Sequence, residues 1–177
     1  MIKKNKIIKE IFVFVKYIAA CLAFGLILNN FIIVNAVVIS GSMESTVMTD
    51  SRIIGSRLIY AVNEPQRFDI ILFKFPDDET REPYLKRIIG MPNEKVEIKD
   101  GKVYINDSDT ALDDSFINEP ARGNYGPFIV PEGSYFVLGD NRNKSNDSKN
   151  WVNPFVSKNK ILGKVYAEYY PWLKLLD

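Results

Sequence analysis

The hydrophobic pattern divides the chain into two regimes. Residues 1–10 carry Lys3, Lys4, Lys6 and Lys9 against Glu10, and residues 11–28 are then apolar except for Lys16. As a helix rising ~1.5 Å per residue, that run extends about 27 Å, close to the ~30 Å hydrocarbon core of a bilayer. Lys16 lies near the basic end, where its stem can snorkel toward headgroups. A second apolar stretch, residues 31–39, follows Asn29 and Asn30 and is rich in Ile and Val, which suits an extended segment at the membrane surface. From Arg52 onward the pattern becomes short β-branched and aromatic runs separated by Pro, Gly, Asn and Asp. These predict strands at 52–59, 69–75, 84–89, 95–98, 102–105, 135–138 and 161–169. Asp100-Gly101 between two of them predicts a hairpin.

No helix of ordinary length is predicted after residue 50. The expected architecture is therefore mainly β: a basic cytoplasmic tail at 1–10, a transmembrane anchor at 11–30 and an extracytoplasmic β domain at 31–177. The lysines before the span place the amino terminus in the cytoplasm. A cleavable secretory signal and a buried core helix compete with the anchor. Val34-Asn35-Ala36 resembles a cleavage site, but the apolar run before it exceeds the ~7–15 residues usual for a signal. Residues 76–79 and 106–124 read as surface loops.

Composition narrows the chemistry. A formal charge of +1 offers no electrostatic footprint for nucleic acid. The chain has no histidine, which removes the Ser-His-Asp triad and almost every catalytic zinc site. Cys21 is the only cysteine, so no internal disulfide or cysteine metal cluster is available, and no metal or cofactor is expected. A hydrolase built on this chain needs a carboxylate, a lysine or an amino terminus as its base.

Three polar stretches stand out. Ser40-Gly41-Ser42-Met43-Glu44-Ser45-Thr46 sets two hydroxyls around a glycine at the change from apolar to polar sequence. Tyr84-Leu85-Lys86-Arg87-Ile88-Ile89-Gly90 places two cations inside a strand-like run. Alternation predicts that one of them faces inward and the other outward; an edge strand with two solvated charges is the plainer alternative. Residues 139–149, Gly139-Asp140-Asn141-Arg142-Asn143-Lys144-Ser145-Asn146-Asp147-Ser148-Lys149, read alone as a solvated turn.

Together, in this order and with Arg67-Phe68-Asp69-Ile70-Ile71-Leu72-Phe73 between the first two, these stretches resemble the type I signal peptidases, membrane-bound Ser/Lys proteases. The resemblance implies the mainly β fold that such peptidases share with self-cleaving Ser/Lys repressors. It also implies Ser42 as nucleophile, Lys86 as general base, Ser40 as an oxyanion donor and Ser145 as the hydroxyl that orients the lysine. Asp140 paired with Arg87, and Asp147 near Arg142 and Lys149, would brace the site. Signal peptides of preproteins and membrane lipid are the implied partners, with Ile39, Tyr84 and Leu85 the expected walls of the substrate pocket.

The residues support that chemistry independently. A serine hydroxyl needs a base, and without histidine a neutral lysine is the candidate. Such a lysine must lose about two pKa units or more, which burial can supply; Arg87 would add to the shift unless Asp140 blunts it.

The sequence departs from the family at Ser45, where proline is frequent, at Phe68, where glycine is usual, at Lys149 in place of arginine, and at Val152 after Trp151. The short spacing from Lys86 to Ser145 resembles the compact form typical of Gram-positive bacteria. Two other readings are a catalytically silent or specialised membrane-tethered relative that holds export or pilus substrates, and a cleaved, secreted β binding module.

Overall fold

The computed structural model describes residues 2–75 and 82–176; the loop expected at 76–79 lies outside them. Helix α1 (Ile2–Ile27) continues through a π turn at Leu28–Ile32 and stops where Ile33 turns extended, at φ −100° and ψ 136°. The π turn falls on Asn29 and Asn30, whose side chains compete with the helix for backbone hydrogen bonds. The segment Lys9–Ile32 is long and apolar enough to cross a membrane, and its apolar window is entirely unburied. That is the opposite of a core helix, so the buried-helix alternative falls.

In chain order the strands are β1 (Ile33–Val37), β2 (Arg52–Ser56), β3 (Ile70–Lys74), β4 (Pro83–Gly90), β5 (Lys95–Lys99), β6 (Lys102–Ile105), β7 (Tyr125–Ile129), β8 (Ser134–Leu138), β9 (Val156–Ser157), β10 (Ile161–Tyr170) and β11 (Lys174–Leu175). The larger sheet runs β1-β2-β10-β3-β4-β8-β9, with β11 added to β10; the smaller is β6-β5-β7. The chain is thus mainly β on one apolar helix, as its pattern predicts. Asp100-Gly101 turns β5 into β6, both residues taking positive φ, +48° and +79°, as a tight hairpin requires.

Three corrections follow from packing. The strand expected at 52–59 ends at Ser56, and a one-turn helix α2 (Ile59–Val62) follows it. Strand β7 escapes its sequence pattern because Gly126 and Pro127 interrupt it; it is tolerated as the edge of the small sheet. Strand β4 is an interior strand between β3 and β8, and Lys86 and Arg87 are both buried, at 3% and 2% exposure. The expectation of one inward and one outward charge fails because both faces of β4 are covered.

All three core clusters meet at β4, the third through Ile89. Leu85 joins Met43, Val47, Ile70 and Leu72 in one, while Ile88 joins Ile71, Phe73 and Val137 in another. A third cluster fills the space between the two sheets, with Ile98, Val103 and Phe136 at its centre.

Candidate active site

Ser42 lies in a single 3-10 turn, Gly41–Met43, between β1 and β2. The fully buried Met43 anchors that turn in the core cluster shared with Val47. Asn141 holds it from the loop after β8: its backbone N–H donates to the Ser42 carbonyl at 3.1 Å and its side-chain amide to the Gly41 carbonyl at 3.0 Å. Gly139 permits this approach, since a Cβ there would collide with the Ser42 carbonyl oxygen and the Ser145 side chain. On the outer side, Lys174 of β11 donates to the carbonyls of Thr46 at 2.7 Å and Ser45 at 3.4 Å.

Lys86 reaches the same turn from β4. Its Nζ lies 2.8 Å from Ser42 Oγ and donates to the Leu85 carbonyl at 3.1 Å. Burial strips water from the ammonium and lowers its pKa to about 8; Asp147 opposes the shift, Lys149 adds to it and Asp140 opposes it. Arg87 is neutralised by Asp140, to which one edge of its guanidinium is committed, Nε to Oδ1 at 3.0 Å and Nη2 to Oδ2 at 2.8 Å. With a pKa near 8, about one lysine in ten is neutral at pH 7.

Ser40, extended at φ −134° and ψ 150°, places its Oγ 3.3 Å from Ser42 Oγ. Ser145 is brought to the site but does not make the expected bond to Lys86. Its hydroxyl is buried near Ser42 without a hydrogen-bond partner among the described residues, and the Leu85 carbonyl takes the lysine instead.

The bracing charges form a buried layer behind these groups. Asp140 also accepts from the Thr46 hydroxyl, and Arg87 donates to the Phe68 carbonyl at 3.0 Å. Asp147 accepts from the Gly139 N–H at 3.0 Å and from Lys149 at 3.0 and 3.2 Å. Arg142 pairs with Asp114 at 3.5 Å rather than with Asp147, and burial lowers its pKa against the pull of Asp114. The ring of Phe116 lies under Arg87 at 4.2 Å and near Arg142 at 5.9 Å, both inside cation–π range. Residues 106–124 are therefore not a plain surface loop, since Asp114 and Phe116 reach the site from them.

A cleft of about 570 Å³ opens in front of Ser42 and Lys86. Residues 36–40 form one wall and 82–86 the other, so Ile39, Tyr84 and Leu85 all line it as expected. The first wall presents an open strand edge, since among the described residues β1 pairs only with β2; on the second, the ladder from β4 to β8 begins at Arg87.

The family described as "Signal peptidase, peptidase S26" matches residues 10–170. The chain belongs to the signal peptidase family. Its activity is accordingly that of a peptidase. It is 36% identical to a probable signal peptidase I-2 from Synechocystis over 86% of its own length and 69% of that protein's. It is 31% identical to a signal peptidase I from Bacillus licheniformis over 96% of its length and 92% of the relative's. A solved signal peptidase I from Enterococcus faecalis V583 is 35% identical, spans 58% of this chain and 97% of its own, and superposes with a TM-score of 0.49.

Within this signal peptidase the departures have local structural consequences. Ser45 takes φ +85°, a value closed to proline, whose ring fixes φ near −65°. Phe68 takes φ +73°, the left-handed region that suits glycine, and its ring packs edge-on to Phe116 at 5.6 Å. Lys149 contacts both oxygens of Asp147 through one ammonium and also donates to the Ser145 carbonyl at 3.2 Å. Val152 is fully exposed and away from the cleft lining. Thr46, Asn141 and Lys174 were given no role by sequence. Their contacts are made across long stretches of chain, which a local pattern does not report.

Proposed function

We propose that this chain removes signal peptides from exported preproteins, with Ser42 as nucleophile and Lys86 as general base. The observation that carries the reading is the 2.8 Å approach of two buried groups, a hydroxyl and an amine of lowered pKa. Neutral Lys86 takes the hydroxyl proton as Ser42 Oγ attacks the scissile carbonyl. The ammonium so formed gives its proton to the departing amine as the C–N bond breaks, leaving an acyl-serine. A water then attacks the ester while Lys86 takes its proton, and the ammonium returns a proton to Ser42 as it leaves.

Negative charge on the tetrahedral oxygen would be met by the Ser40 hydroxyl and the Ser42 backbone N–H. Ser145 holds an unused hydroxyl beside the site, suited to accept from Lys86 once it is charged and has left Ser42. Arg87, Asp140, Arg142, Asp147 and Lys149 hold the turn and the lysine in place.

The substrate would lie extended between the two walls, gaining main-chain hydrogen bonds as a strand added to the open edge of β1. Ile39, Tyr84 and Leu85 would limit the pockets for the first and third residues before the bond to small side chains. Residues 11–30 would span the membrane with 1–10 in the cytoplasm, so that 31–177 works on the far side.

The test is cleavage of an Ala-x-Ala preprotein in detergent by wild type, Ser42→Ala and Lys86→Ala. Cleavage after the second alanine by wild type alone, with both variants folded, is the expected result. Equal inertness of all three, with undiminished preprotein binding, would leave a tethered binding protein.

A further inference from the structure

The cleft is lined chiefly by apolar groups, among them Val38, Ile53, Leu72 and Leu85, but its rim beside Ser145 is different. Lys144 and Asn146 both line it, both are exposed, and they flank the buried Ser145. Among the described residues neither side chain makes an ion pair or hydrogen bond. The carboxylates close by in sequence, Asp140 and Asp147, are bound to Arg87 and Lys149 and leave the Lys144 ammonium uncompensated. An ammonium and an amide on the same cleft are five potential donors, none used within the described residues.

An extended peptide turns alternate side chains to opposite sides. If the residues one and three before the bond enter the apolar cleft, the residue between them projects toward the rim. We propose that Lys144 and Asn146 select an acidic side chain at that second position before the cleaved bond. The inference rests on the peptidase reading above and names the preproteins it would favour: those with Asp or Glu between the two small residues. Glu82 also lines the cleft, but it has an interaction of its own.

Both groups are exposed, so the preference is modest and sensitive to salt. An exposed pair contributes about 0.2–1 kcal/mol, roughly a 1.4- to fivefold gain for Asp, with a loss of similar size for Lys.

The experiment uses the full chain in non-ionic detergent with three peptides that differ only in carrying Ala-Asp-Ala, Ala-Ala-Ala or Ala-Lys-Ala before the bond. For wild type the ratio of kcat/KM for Asp over Lys is expected at about two- to thirtyfold in low salt, falling toward one near 1 M salt. Lys144→Glu should invert the order, and Asn146→Ala should reduce the ratio without inverting it. A wild-type ratio within twofold of one, or an unchanged order in Lys144→Glu, overturns the proposal while cleavage of Ala-Ala-Ala leaves the peptidase reading standing. Failure to cut any of the three overturns both.

Discussion

Thr46 donates its hydroxyl to Asp140, whose carboxylate is held bidentately by Arg87, the neighbour of Lys86 in β4. One continuous set of hydrogen bonds therefore ties the turn that carries the proposed nucleophile to the strand that carries the proposed base. Asp140→Ala would break it at its centre and leave a buried guanidinium without its carboxylate, which typically costs about 3–5 kcal/mol. Urea unfolding of the variant should show a loss of that order; a change under about 1 kcal/mol would mean that the pair is not buried as described.

The lowered pKa of Lys86 makes two linked predictions. Log kcat/KM should rise with unit slope as pH increases and level off above about 8, the reverse of a protonated-lysine requirement. The unfolded chain binds this proton more tightly than the folded one, so the lysine's contribution to stability should increase from pH 8 toward 10.5. Lys86→Met should therefore be inactive yet more stable than wild type at pH 7, by up to about 3 kcal/mol less the two lost hydrogen bonds. Thermal unfolding across this pH range checks the sign.

Ser40→Ala removes one proposed oxyanion donor. The expected outcome is a fall in kcat of about 10²- to 10³-fold with KM little altered. Steady-state kinetics in which KM alone changes would assign Ser40 to substrate binding instead.

Ser145→Ala separates chemistry from architecture. Its hydroxyl has no partner among the described residues, so its removal should not lower thermal stability. If it receives the charged lysine during turnover, kcat should still drop, by about tenfold or more for one lost hydrogen bond of ~1.5–3 kcal/mol to a charged group. Stability lost in proportion to activity would make the residue structural.

Lys174 fastens the outer side of the turn that follows Ser42, where Ser45 holds a positive φ. Lys174→Met should lower kcat a few-fold, in keeping with the ~1 kcal/mol of an exposed polar contact, while Lys174→Arg retains it. Adding Ser45→Gly to Lys174→Met should restore part of the loss, because glycine adopts that φ without cost. Absence of any rescue would separate the lysine from the shape of the turn.

Strands with uninterrupted β-branched patterns were legible from sequence: β6 falls on the expected residues, and β3, β5, β8 and β10 lie within one or two. The expectation failed where long-range covering decides the outcome. Lys86 and Arg87 look like an edge strand because nothing local shows that Asp140 and Phe116 will close over the arginine. The polar run 139–149 reads as solvated for the same reason, yet Asp140, Arg142, Ser145, Asp147, Ser148 and Lys149 are all buried in it. Phe116, a lone aromatic ring in a polar stretch, was the one local hint that the loop folds inward.

The passage from the apolar helix to the Ser42 turn contains no slack. The π turn ends at Ile32, β1 begins at Ile33, and its pairing to β2 fixes the path to Val37, five residues short of Ser42. Ten residues at ~3.3 Å each allow at most about 33 Å between the end of the apolar helix and the serine. If that helix spans a bilayer, the chain behaves as a ruler. Bonds within this height of the lipid surface are in reach, and an identical sequence on a domain held farther out is out of range.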